Sequence, residues 1–366
     1  MVYLLAMADW RTRAEISADV VFFPYAAREA EKRAEEVYVW DLDKTYLDTR
    51  FETLGGIWQT AMEKAFQKKN IPGTGALGRA LKKHSEEAVE KLKREFAIYF
   101  ITASPPQLER KIYEKMVFDG IYPFGIYFKD NLKNLHPRRW WRLTQQVGYK
   151  IQALLLLRLR FKSDVRFIMW GDDSESDAIV YALFSDICSR RMEGDKLRET
   201  LKSLYVVGEQ MDSIIEMQQR IPQGDPVEKV YINLAEDTDA DYYLKFGRRT
   251  LPTYSSFQTA VDLFQDRRLS GELVVTVAQD LVTNFGYTHE ELARYLDDLV
   301  RRQRIGAESL TDLLSTLQSY GLIHKKWTPS ITPKSVTERV GDTVIALEGS
   351  YEPWVPDRID YLHDYR

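Results

Sequence analysis

The sequence predicts an α/β fold, a central parallel sheet flanked by helices, followed by a small helical C-terminal domain. Three observations carry this. Short apolar runs occur at residues 37–40, 96–101 and 165–170, each rich in β-branched or aromatic residues and each of strand length. Stretches with helical spacing of apolar residues separate them, at 57–68, 76–94 and 149–161. Strands alternating with helices build parallel sheets covered on both faces. Finally, each run ends abruptly in polar residues, and in such sheets ligands bind beyond the carboxyl ends of the strands.

Along the chain, Val37-Tyr38-Val39-Trp40 runs into Asp41, and 96–101 runs into Thr102. The third run, ending Met169-Trp170, is followed by Gly171. A fourth strand is expected at 227–234, because Ile221-Pro222-Gln223-Gly224-Asp225-Pro226 is a strong turn signal before it. A helix at 253–264 then closes the α/β unit. After Ser270-Gly271 the strand pattern stops, and 272–285, 289–304 and 308–320 read as helices. The expected organisation is one α/β domain over 1–267 with its motifs within 35–265, a helical domain over 268–330, and a tail over 331–366. Pro329 and Pro333 mark turns or extended chain there, and the tail is expected to be extended or partly disordered.

Composition narrows the class. With 366 residues, 44% hydrophobic, the chain can bury a large core and a satellite domain. A net charge of −4 gives no overall reason to expect a nucleic acid or an anionic membrane as partner. The single cysteine, Cys188, excludes an intrachain disulfide and reads as a small buried hydrophobe. No apolar run reaches the ~20 residues of a membrane span, and the apolar start of the chain has no basic region before it. A cytoplasmic protein is the expectation; the oligomeric state is open. The five histidines (84, 136, 289, 324 and 363) have no metal-ligand spacing.

The strand ends carry the chemistry. In Asp41-Leu42-Asp43-Lys44-Thr45 the two carboxylates stand two residues apart and can point into one cavity. They would repel there unless a divalent cation sits between them or one keeps its proton. Either state suits phosphoryl transfer, with Asp41 attacking phosphorus in line and Asp43 moving the leaving-group proton. Thr45 would brace the loop. A capped turn is the plain alternative for these residue types.

In Thr102-Ala103-Ser104-Pro105 a hydroxyl with nearby backbone N–H groups can hold a phosphoryl oxygen. The same residues also fit a helix start, Ser104 as N-cap and Pro105 after it. In Gly171-Asp172-Asp173-Ser174-Glu175-Ser176-Asp177, Asp172 suits direct Mg²⁺ ligation. Asp173 or Asp177 could serve through water, since Mg²⁺ keeps several waters. A solvated acidic loop is equally compatible. A Ca²⁺ loop is disfavoured by the missing alternating ligands and mid-loop glycine. Lys150 lies on the helix preceding the third strand, where it could neutralise Asp41 and a phosphoryl oxygen together; spacing alone does not set it above Lys162.

With these residues the chain resembles the haloacid dehalogenase superfamily of phosphohydrolases. Its four motifs appear in order as Asp41-x-Asp43-x-Thr45, Thr102, Lys150, and Gly171-Asp172 with Asp177. The resemblance covers about residues 35–265 and implies a Rossmann-like core. It implies Asp41 as nucleophile, Asp43 as general acid/base, Thr102 and Lys150 as phosphoryl-binding, and a Mg²⁺ site at Asp172 and Asp177 beside Asp41 and Asp43. Thr45, Ala103, Ser104 and Asp173 would surround the phosphate. The chain is also similar to the subgroup named after the actin-patch phosphatidate phosphatase. Ile71-Pro72-Gly73-Thr74, Ser104-Pro105-Pro106-Gln107-Leu108, Tyr149-Lys150-Ile151 and the stretch 171–181 carry that likeness. Lys44 and Pro106 depart from its usual acidic and aromatic residues.

Between Thr102 and Lys150, the stretch 128–142 interleaves basic and aromatic residues. Arg138, Arg139 and Trp140 are its candidates for substrate contact, by charge at a lipid headgroup or by stacking on a soluble phosphate. Core packing of Trp140 and Trp141 at a helix start is the plain alternative. The sequence therefore supports a Mg²⁺-dependent phosphomonoesterase of phosphatidate, with peripheral contact to a membrane open. Phosphatases of soluble metabolites, nucleotides or phosphoproteins, and an interaction protein that merely retains the fold, stand as alternatives.

Overall fold

A computed structural model of the chain describes residues 10–48, 70–92, 95–130, 146–173, 176–206, 208–340, 343–349 and 352–361. The helix expected at 57–68, the candidate contacts Arg138, Arg139 and Trp140, and Ser174 and Glu175 of the acidic loop lie outside these residues.

The fold is α/β, with an eight-stranded, mostly parallel sheet, flanking helices and a helical C-terminal region. Its strands are β1 (Glu15–Ser17), β2 (Val20–Pro24), β3 (Glu36–Asp41), β4 (Ala97–Thr102), β5 (Gly125–Lys129), β6 (Arg166–Asp172), β7 (Val227–Asn233) and β8 (Thr250–Thr253). They lie in the order β1-β2-β5-β4-β3-β6-β7-β8. Strand β3 pairs in parallel with β4 on one side and β6 on the other, and β4 pairs in parallel with β5. Strands β1 and β2 are antiparallel additions beyond β5.

This order places Asp41 where a ligand belongs. The chain moves outward from β3 to β4 to β5, then returns to lay β6 on the other flank of β3. That reversal is a topological switch point, and the crevice opens beyond the carboxyl end of the central strand. Asp41 is the last residue of β3.

The three expected strands form because they are buried on both faces, which selects continuous apolar runs. All of β4 and all of β3 after Glu36 are buried. Strands β4 and β6 extend beyond the expected runs, so Thr102 and Asp172 are themselves the last strand residues. The helices Val147–Arg158 and Asp177–Ser189 are buried along almost their whole length. Of the stretch 128–142, Phe128 and Lys129 end β5 and Asp130 follows them, all three buried; the remainder lies outside the described residues.

The chain divides into two compact units. The first takes Met1–Lys68, Arg94–Val230 and Arg358–Arg366, and holds all the expected catalytic residues. Within it, Tyr361 donates a hydrogen bond from its hydroxyl to Asp186 Oδ2 at 2.5 Å. The second takes Lys69–Lys93 and Tyr231–Asp357.

In the second unit the helix Thr74–Leu92 packs with Gly271–Phe285 and Ser256–Gln265. The helices His289–Arg301 and Ala307–Ser319 follow, then a hairpin of β9 (Val336–Val340) and β10 (Thr343–Leu347). Ser255, Ser270 and Thr288 cap the helices that follow them with their side chains. Gly73 sits at φ +78, where a β-carbon would come within 2.9 Å of Ser256 Cβ and 3.0 Å of Leu281 Cδ2. Glycine is therefore required there both for backbone conformation and for close approach. Ser256 donates to the Pro72 carbonyl at 2.7 Å across the same contact.

Candidate active site

The loop after β3 is built to hold two carboxylates. Leu42 N donates to the Ile101 carbonyl at 2.9 Å, continuing the β3–β4 ladder one residue past the strand. Leu47 N and Tyr46 N both return to the Leu42 carbonyl, and Lys44 N donates to the Leu47 carbonyl at 2.8 Å. The turn this creates needs a left-handed residue, and Lys44 adopts φ 60. Buried Leu42, Tyr46 and Leu47 anchor it in the core. Asp41, Asp43 and Thr45 are buried as well.

Each of these side chains is then tied to a neighbouring strand or helix. Thr45 Oγ1 donates to Asp41 Oδ2 at 3.3 Å, and Lys150 Nζ lies 2.9 Å from Asp41 Oδ1. Thr102 Oγ1 donates to Asp43 Oδ2 at 2.7 Å and accepts from Ser104 N at 3.0 Å. Tyr149, the residue before Lys150, donates from its hydroxyl to the Thr102 carbonyl at 2.7 Å. Burial first, and then the Asp41 charge, push the Tyr149 phenol well above its ordinary range, so it stays a donor at any working pH.

On the other flank, Asp177 opens the helix Asp177–Ser189 and is fully enclosed, at 0% exposure. Its two oxygens are both used. Oδ1 lies 2.5 Å from Lys150 Nζ, and Oδ2 accepts from Asp172 N at 3.1 Å. Gly171 makes this approach sterically feasible, because a β-carbon there would stand 2.4 Å from Asp177 Cβ and 2.5 Å from its Oδ2. Lys150, 2% exposed, thus bridges Asp41 and Asp177, and Asp177 in turn fixes the backbone of Asp172.

The structure therefore brings together Asp41, Asp43, Thr45, Thr102, Ser104, Lys150, Asp172 and Asp177. The Thr102 hydroxyl, expected to face a phosphoryl oxygen, is engaged with Asp43. Ser104 is buried, and its expected N-cap role is not taken. A turn of 3₁₀ helix begins at Pro106 with Pro105 at its cap, and the α-helix Glu109–Phe118 follows. Ala103 and Asp173 are half-buried at the same edge. Sequence reasoning missed Tyr149 as a bracing group, although its place beside Lys150 was a local signal.

Two buried carboxylates, Asp41 and Asp177, flank the Lys150 ammonium, and buried Asp43 and Asp172 lie at the same strand ends, so the charged donors present are all hard oxygens. Among the described residues no group of three or more His, Cys, Asp or Glu side chains stands arranged to hold a metal ion. Mg²⁺ does not need one, because it is held by one or two carboxylates with waters and substrate oxygens completing its shell. The residues present fit that ion, with Asp41 and Asp172 ending adjacent strands at the same edge.

Residues 37–194 match the family model described as "Phosphatidate phosphatase APP1, catalytic domain". That span is less than half of the chain and includes every residue of the cluster just described. Comparison with curated proteins and with solved structures finds no match. Such a match suggests a phosphohydrolase. Among the described residues, no helix is long and apolar enough to cross a membrane.

Proposed function

We propose that this chain is a Mg²⁺-dependent phosphomonoesterase that works through an aspartyl-phosphate and acts on lipids of the phosphatidate class. The observation that carries the reading is the Lys150 ammonium lying between Asp41 and Asp177, while Thr102 holds Asp43 beside them.

In this reading Asp41 Oδ attacks phosphorus, and the bond from phosphorus to the ester oxygen breaks. Asp43, protonated at this stage, gives its proton to the departing oxygen. In the second half Asp43 takes a proton from water as that water attacks phosphorus, and the bond to Asp41 breaks to release inorganic phosphate. Lys150 offsets charge on Asp41 and on the transferring group. Asp177 acts through Lys150 and the Asp172 backbone, and so is a positioning residue. Mg²⁺, held by Asp41 and Asp172, would supply charge neutralisation for the phosphoryl oxygens.

The family match supports the phosphatidate class. The test is phosphate release from phosphatidate vesicles and from soluble phosphomonoesters, with Mg²⁺ and with chelator, for the wild-type chain and Asp41→Asn. The expected result is Mg²⁺-dependent release from vesicles by the wild type alone. Turnover of small soluble esters with none on vesicles would overturn the lipid substrate. Equal activity, or equal inactivity, of wild type and variant would overturn the nucleophile.

A further inference from the structure

Two buried polar atoms at the catalytic edge are not used by the chemistry above. Asp130 follows β5 immediately and is 3% exposed, and its Oδ1 has no hydrogen-bond partner among the described residues. Gln107 lies in the 3₁₀ turn after Ser104, half-buried, and its Nε2 is buried and likewise without a partner among the described residues. One is an acceptor and the other a donor.

Their placement is fixed by the sheet. Thr102 is in register with Phe128, and Lys129 N donates to the Ser104 carbonyl at 3.3 Å. Asp130 therefore stands beside Ser104, one strand outward from the Thr102–Ser104 segment. Strands are spaced ~4.8 Å apart, which puts it about 10 Å from the strand that ends in Asp41. The Asp130 backbone is held by its N–H to the Asp19 carbonyl at 2.8 Å. Gln107 is on the same segment as Ser104, three residues on.

An unmade hydrogen bond on a buried carboxylate is costly, more so than on a neutral group, and the cost is removed when a donor arrives. At this distance from the nucleophile the arriving donor is a group on the leaving alcohol, not the phosphate. We propose that Asp130 and Gln107 form a leaving-group subsite that selects phosphomonoesters with a free hydroxyl near the phosphate. Asp130 accepts from that hydroxyl, and Gln107 donates to a neighbouring hydroxyl or acyl carbonyl oxygen. Within the phosphatidate class this is the chemistry of a lysophosphatidate, whose second carbon carries a free hydroxyl where phosphatidate carries an ester. The inference rests on the phosphomonoesterase reading for its reaction but not for its binding.

The test compares kcat/KM for lysophosphatidate, phosphatidate and phenyl phosphate, the lipids presented in micelles of one detergent. The wild type is expected to prefer lysophosphatidate over phosphatidate. Asp130→Ala should lower the lysophosphatidate-to-phenyl phosphate ratio about 10- to 100-fold, the size of a lost hydrogen bond to a charged group, with partial recovery in Asp130→Asn. A wild type that prefers phosphatidate, or a ratio that does not move, overturns the subsite. Calorimetric binding of glycerol 3-phosphate against phenyl phosphate, in the full-length Asp41→Asn chain, reads the same preference without turnover. If no ester is hydrolysed yet glycerol 3-phosphate binds more tightly, the phosphomonoesterase reading fails and the subsite stands. No preference in that binding overturns the subsite whatever the turnover.

Discussion

At the residue scale, the site is organised by Lys150 rather than by the acidic residues it serves. One ammonium group, 2.9 Å from Asp41 and 2.5 Å from Asp177, links the strand that carries the proposed nucleophile to the helix after β6. Lys150→Met should therefore cost about 10²–10³ in kcat, the range for removing a preorganised charge-stabilising donor, as read by phosphate release. Gly171→Ala should cost activity by a different route, because its methyl group would displace Asp177 and slacken Lys150. Its signature is a loss of kcat together with a lower denaturation midpoint, the latter from overpacking worth about 1–3 kcal/mol. The carboxylates were legible in the sequence because strand ends in a parallel sheet advertise themselves. The role of Asp177 was not legible. Its distinction from Asp173 depends on which carboxylate the helix start turns toward Lys150, a three-dimensional fact.

At the element scale, the strands that could be read were those buried on both faces, where burial selects continuous apolar runs. Strand β8 contains Pro252, which argues against a strand. Strand β5 ends in Lys129 and leads into Asp130, so its polar end masked its apolar start. Strand β2, with Val20-Val21-Phe22-Phe23, had a usable apolar signal and went unread. The helix Thr74–Leu92 was expected, but its partners were not: it packs on helices about 190 residues further on, which no local pattern reveals.

In the second unit, the capping box at Thr288 and Glu291 makes a separate prediction. The Thr288 backbone and side chain hold the Glu291 carboxyl below its ordinary value. A depressed carboxyl contributes stability above its unfolded pKa of about 4.3, and that contribution is lost as pH falls through the folded value. Thr288→Ala should therefore lower stability by about 1 kcal/mol near neutral pH. The difference from wild type should shrink in denaturation curves taken below pH 4, the region set by that carboxyl pKa.

At the scale of the whole molecule, the proposed catalytic residues all fall in one compact unit, and the switch point at β3 collects them. If the carboxylates hold Mg²⁺, the ion must stabilise the fold by mass action. Mg²⁺ at a hundredfold excess over its dissociation constant should add about 2.7 kcal/mol. Thermal unfolding with and without the ion reads this directly, and Asp172→Asn should lose most of the gain. Most directly testable is the proposal that Asp41 carries the phosphoryl group. The wild-type chain and Asp43→Asn, each mixed with substrate and quenched in acid, can be digested and their peptides examined by mass spectrometry. A phosphoryl group on the peptide containing Asp41, accumulating further in Asp43→Asn and absent from Asp41→Asn, is the predicted result. A turning-over enzyme with no label at Asp41, or with the label on another residue, would contradict it.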